Sequence, residues 1–101
     1  MNKDKLVKFI EDSFTNSALP TFCNYIKIQN LTPSVDPDWN TNNYQMDAAK
    51  LISQWIIDQK LAGLELTLVK DPDKTPMIFV EIPAYKTKSD KTFLLYGHFD
   101  K

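Results

Sequence analysis

The 101-residue chain has no arginine: all twelve of its cations are lysines, set against thirteen acids for a net charge of −1. Without a guanidinium fork to grip phosphates or base edges, and without a basic patch, nucleic acid is not an expected partner. Cysteine is as scarce. The single Cys23 excludes an internal disulfide and a cysteine-built zinc knuckle, and its place on an apolar helical stripe predicts a buried, inert thiol. No run of 18 apolar residues occurs, so no membrane-spanning helix is expected. The start, Met1 to Lys5, leads into an amphipathic stretch instead of a signal-peptide core, which points to the cytoplasm. Asn30-Leu31-Thr32 fits a glycosylation sequon, but with no secretory signal it reads as chance.

What is present suits one folded domain: 43% of the residues are apolar and 12% aromatic, too many for a disordered chain. Leu6, Ile10 and Phe14 recur at helical spacing, with Val7 beside them and Asn2 available as a cap, which predicts a helix over about 3–14. Thr15 to Ser17 interrupts that pattern. A second helix is expected over 19–28, with Leu19, Phe22, Cys23 and Ile26 on one stripe and Pro20 in its first turn. Gln29 to Asn43, with two prolines and several Asn and Asp, reads as a long loop pinned by Trp39. A third helix over 44–61 is expected to bury Ala48, Leu51, Ile52, Trp55 and Ile56 and to stop at Gly63.

The period then changes from helix to strand. Leu64, Leu66 and Leu68 alternate with polar residues, Asp71-Pro72-Asp73-Lys74 has turn chemistry, and Ile78, Val80 and Ile82 alternate again, predicting strands over 64–69 and 77–82. Lys86 to Lys91 is a polar connection. Thr92 to Tyr96 is apolar without alternation, so a third strand over 92–97, covered on both faces, is expected. Phe9, Phe14, Phe22, Trp55, Phe79 and Phe93 lie on apolar faces and are expected in the core. A central strand with nothing after it to close the sheet reads as the front part of a longer α/β protein.

The chemistry-bearing residues gather behind that last segment. His98 is the only histidine, and ligands of open α/β sheets bind beyond the carboxyl ends of strands. Gly97 lets the backbone turn there. Asp100, two residues on, could fix the imidazole's tautomer and raise its basicity toward a metal. His-x-Asp alone equally fits a histidine that merely hydrogen-bonds at a strand end.

Phe93-Leu94-Leu95-Tyr96-Gly97-His98-Phe99-Asp100-Lys101 resembles the first metal-ligand segment of the dinuclear zinc aminoacylase and carboxypeptidase family, which includes carnosinase-type dipeptidases, acetylornithine deacetylase and succinyl-diaminopimelate desuccinylase. Leu19-Pro20, Tyr25-Ile26-Lys27-Ile28, Asn30 with Pro33, and Asp36-Pro37-Asp38-Trp39 look like the N-terminal region of a dipeptidase-like branch. Gln29 and Leu31-Thr32 depart from that branch's usual wording. The resemblance implies that residues 1–101 are the N-terminal part of a three-layer α/β/α zinc-exopeptidase-like domain, three helices and then a three-strand sheet segment, incomplete. It implies His98 as a metal ligand and Asp100 as the residue that orients it, in a site holding two zinc ions. It also implies hydrolysis of a peptide or N-acyl amino acid at its amide bond, by a metallopeptidase that dimerises only through a further domain. The family's remaining ligands and catalytic Glu match nothing in this sequence, so the chain alone is expected to be inactive. Alternative readings are a small stand-alone α/β interaction module and one half of a split enzyme.

Overall fold

The computed structural model describes residues 2–101. Helix α1 spans Lys3–Ser13, with Asn2 capping it as the sequence suggests: the Lys5 amide donates to Asn2 Oδ1 at 3.1 Å. The interruption at Thr15 to Ser17 is not a break. Phe14–Ala18 forms one π-helical turn that runs without a gap into α2, Leu19–Ile26. A π-turn inserts a residue into the helical frame and rotates the next helical segment about the axis, which is why the apolar pattern slips there. Pro20 still falls in the first turn of α2.

Helix α3, Tyr44–Asp58, lies against α2 and against both strands of a hairpin. Strands β1, Glu65–Val69, and β2, Met77–Glu81, pair antiparallel with Leu66 opposite Val80 and Leu68 opposite Ile78. Those four side chains are the half-buried ones, so the alternation in the sequence corresponds to the face that meets α3. Ile82, expected on that face, lies beyond β2 and is exposed. The buried residues of α3 are Gln45, Ala48, Ala49 and Ser53, while Leu51, Ile52, Trp55 and Ile56 are half-buried. Small side chains thus occupy the closest approach. The loop before α3 is pinned from several sides. Asp36 accepts from the Asp38 amide at 3.0 Å and from Asn42 Nδ2 at 2.7 Å, Gln45 Nε2 donates to Leu31 O at 2.7 Å, and the Lys70 ammonium lies 5.8 Å from the Trp39 ring centre.

Gly63 ends the turn after α3 with φ +75°, and a Cβ there would meet Pro83 Cγ at 2.6 Å. Gly63→Ala is therefore expected to destabilise the fold by more than ~1 kcal/mol, read as a lower urea midpoint.

The third strand is not formed. Residues 92–97 pair with no strand among the described residues, and Phe93, Leu94, Leu95 and Tyr96 are 87–93% exposed. A run without alternation needs a layer on each face and a neighbour at each edge; β1 and β2 pair only with each other, and the outer edge of neither takes up this segment. The aromatic core is corrected on the same ground. Phe9 is 67% exposed, and Phe14, Phe22 and Phe79 are exposed with it; Trp55 alone of that set is half-buried. Cys23 is exposed too. Of the helical rod only the π-turn and α2 meet α3, so the apolar positions of α1 and the outer ones of α2 meet no second layer. The radius of gyration, 16.3 Å, exceeds the ~13 Å of a compact chain of this length. The architecture is a small mixed α/β arrangement of helices and a two-stranded antiparallel sheet.

Candidate functional site

The last four residues are fastened not to the sheet but to the C-terminal end of α2. The Phe99 carbonyl accepts from the Tyr25 hydroxyl and, at 2.6 Å, from Asn30 Nδ2. The Lys101 amide donates to Asn30 O at 2.9 Å, and Lys101 O accepts from the Thr32 amide at 2.6 Å. These two bonds flank Leu31 as a parallel ladder would. The Lys101 ammonium donates to Tyr25 O and Asn30 Oδ1 at 2.6 and 2.7 Å and to Ile28 O, and it sits 4.2 Å from the Tyr25 ring centre. Asn30 is 1% exposed, its Nδ2 donating to Phe99 O and its Oδ1 accepting from Lys101, so the sequon asparagine is not presented for modification.

On this anchored segment His98 and Asp100 meet. The imidazole Nδ1 lies 2.7 Å from Asp100 Oδ1. The His98 side chain is 75% exposed and that of Asp100 29%, so the ring stands toward solvent on a carboxylate held partly inside. When Nδ1–H is donated to Asp100, Nε2 is the nitrogen left with a free lone pair. The His98 hydrogen bond, then the Thr32 side chain, hold the Asp100 carboxyl below the usual carboxylate range against the opposing effect of its partial burial. Burial pushes the Lys101 ammonium down from its ordinary value.

Asp100 thereby makes the docking of its segment sensitive to pH. A carboxyl whose native pKa lies below its unfolded value adds stability that is fully present above the unfolded value and lost as pH falls through the native one. Docking of residues 98–101 is expected to hold at neutral pH and to weaken on acidification below about pH 4. Asp100→Asn should flatten that acid limb in amide exchange measured at the Thr32 and Lys101 N–H groups.

His98 also stands at the rim of an open hollow of about 430 Å³ between the helical rod and α3, lined by Phe14, Phe22, Tyr25, Ile52, Trp55 and Phe99 among others. Trp55 Nε1 donates to Ser17 Oγ at 3.0 Å across it, tying α3 to the π-turn.

The sequence-predicted pair is thus brought together, and nothing joins it. Asp36 is engaged within its own loop, and Asp71 and Asp73 line a separate cavity beside Trp39. Among the described residues no three His, Cys, Asp or Glu side chains gather as a metal cluster would require. A catalytic zinc needs about three protein ligands, so the donor set present fits one ligand and its orienting partner, not a complete zinc site. Tyr25, Asn30, Thr32 and Lys101 are residues that sequence reasoning gave no role, since their partners lie about seventy positions away with no local pattern to announce them. No helix among the described residues is long and apolar enough to cross a membrane. No protein-family model matches the chain, and no curated protein matches it.

Proposed function

We propose that this chain contributes the first metal-binding histidine of a metal-dependent peptidase or amidohydrolase that cleaves a peptide or N-acyl amino acid at its amide bond in the cytoplasm. The observation that carries this reading is the His98 Nδ1 to Asp100 Oδ1 contact at 2.7 Å, with the ring exposed. A carboxylate on one ring nitrogen fixes the tautomer and raises the basicity of the other, the arrangement that metal-ligating histidines use. The resemblance of Tyr96-Gly97-His98-Phe99-Asp100 to the dinuclear zinc family adds the reaction class. When bound, two zinc ions would supply Lewis-acid activation of the amide carbonyl and a nucleophilic hydroxide. This chain's own residues do less: His98 offers Nε2, Asp100 holds the proton on Nδ1, and Thr32 holds Asp100. By itself the chain is proposed to hydrolyse nothing.

The test is zinc affinity by equilibrium dialysis, alongside a dipeptide hydrolysis assay. Weak binding is expected, falling about 10-fold or more in Asp100→Asn and vanishing in His98→Ala, with no hydrolysis by any of them. Zinc binding that ignores both substitutions would refute the assignment of His98, and dipeptide hydrolysis by the unaltered chain would refute its inactivity. A second reading, an interaction module or half of a split enzyme, is favoured by one observation: Phe93 to Tyr96 present four large apolar side chains to solvent, a surface that ordinary folded proteins cover.

A further inference from the structure

We infer that Lys101 is the positioning residue of the His98–Asp100 pair. The segment leading to that pair is held by little else. Residues 92–97 belong to no strand among the described residues, and the bonds at Ser89 and Lys91 are local turns with Thr87 and Ser89. What places Asp100 in space is therefore the docking of its two neighbours, Phe99 and Lys101, on α2 and the strand-like stretch 30–32.

Within that docking the ammonium of Lys101 has a distinct part. Helix C-termini leave carbonyls without intrahelical donors and carry partial negative charge. Tyr25 O and Ile26 O lie at this end of α2, Tyr25 O also accepting from the Ile28 amide at 3.1 Å, and Lys101 Nζ lies 2.6 and 3.4 Å from them. Ile28 O, just past the helix, and Asn30 Oδ1 complete the cage, and the Tyr25 ring forms one wall. An ammonium supplies only three N–H donors, so this cage uses all of them. The same Tyr25 donates its hydroxyl to Phe99 O, and the same Asn30 donates to Phe99 O while accepting from Lys101. Tyr25 and Asn30 thus each bind the residues on both sides of Asp100, and the lysine charge draws the set to the helix end. Asp100 is left turned toward Thr32 and His98, which fixes the ring's Nδ1–H. This role of Lys101 involves no metal and is independent of the assignment of His98 as a ligand.

The experiment is nitrogen-15 NMR of the single histidine at alkaline pH, where an imidazole is neutral, in the unaltered chain, Lys101→Met and Lys101→Arg. Lys101→Met keeps the side chain's length and the backbone pairing with Asn30 and Thr32 but removes the charge and the donors. In the unaltered chain the Nδ1–H tautomer is expected to dominate. In Lys101→Met it is expected to become the minor form, and in Lys101→Arg to regain the majority, with helical circular dichroism equal in all three. An unchanged tautomer ratio in Lys101→Met would overturn the inference, because backbone docking alone would then suffice. Absence of rescue by Arg, or loss of helical signal in Lys101→Met, would overturn it as well, the latter by making Lys101 a general support of the fold.

Discussion

Asn30→Ala is expected to release residues 98–101 from the end of α2. The side chain is buried and engaged at both ends, donating to Phe99 O and accepting from the Lys101 ammonium. Truncation leaves the carbonyl one donor short and opens one side of the ammonium cage. Removing a buried partner costs about 1–3 kcal/mol for each group left unsatisfied, and the bond to a charged group lies toward the upper end. About 2–3 kcal/mol of docking should be lost. Native-state exchange would read this as amide protection at Thr32 and Lys101 falling about 30- to 150-fold, while the ladder amides of β1 and β2 stay as they were.

Ala49→Leu is expected to destabilise the fold as a whole by about 1–3 kcal/mol. Ala49 has no exposed surface, and its helix contacts α2 on one side and both strands on another. Three added carbons must push α3 away from one neighbour or adopt a strained rotamer. The check is the urea midpoint, with Ile57→Ala as the comparison: Ile57 is exposed on the same helix, and its truncation should shift the midpoint little.

These two expectations differ in how far the sequence anticipates them. Ala48 and the neighbouring apolar positions mark α3 as a packed helix, and the alternation at Leu64, Leu66, Leu68, Ile78 and Val80 marks the hairpin with its turn at Asp71-Pro72-Asp73-Lys74. Local spacing determines which face of an element is apolar, so elements of this kind are legible. Local spacing does not say whether anything covers that face. Phe9, Phe14, Phe22 and Cys23 sit on apolar helical faces and are exposed nonetheless, because, among helices and strands, α1 meets nothing beyond the π-turn and α2 meets only α3 outside the rod. Phe93 to Tyr96 have the composition of a central strand and pair with none, because strand formation depends on a neighbour that composition cannot supply.

The π-turn at Phe14–Ala18 shows the same limit at short range. A one-residue insertion leaves helical dihedrals intact and disturbs only the phase of the pattern, so the sequence shows an interruption where the backbone has none. The site divides similarly. His98 and Asp100 are two residues apart, close enough for their pairing to be read from spacing. The residues that hold them, Tyr25, Asn30, Thr32 and Lys101, meet across about seventy positions and largely on backbone carbonyls, contacts that leave no periodic trace.

The most direct test of the central claim is a zinc titration of the unaltered chain followed at the two ring nitrogens of His98. A saturable change confined to Nε2, with Nδ1 still carrying the proton shared with Asp100, is the expected result. Ring nitrogens that do not respond to zinc, or a metal that binds Nδ1 and displaces Asp100, would contradict it.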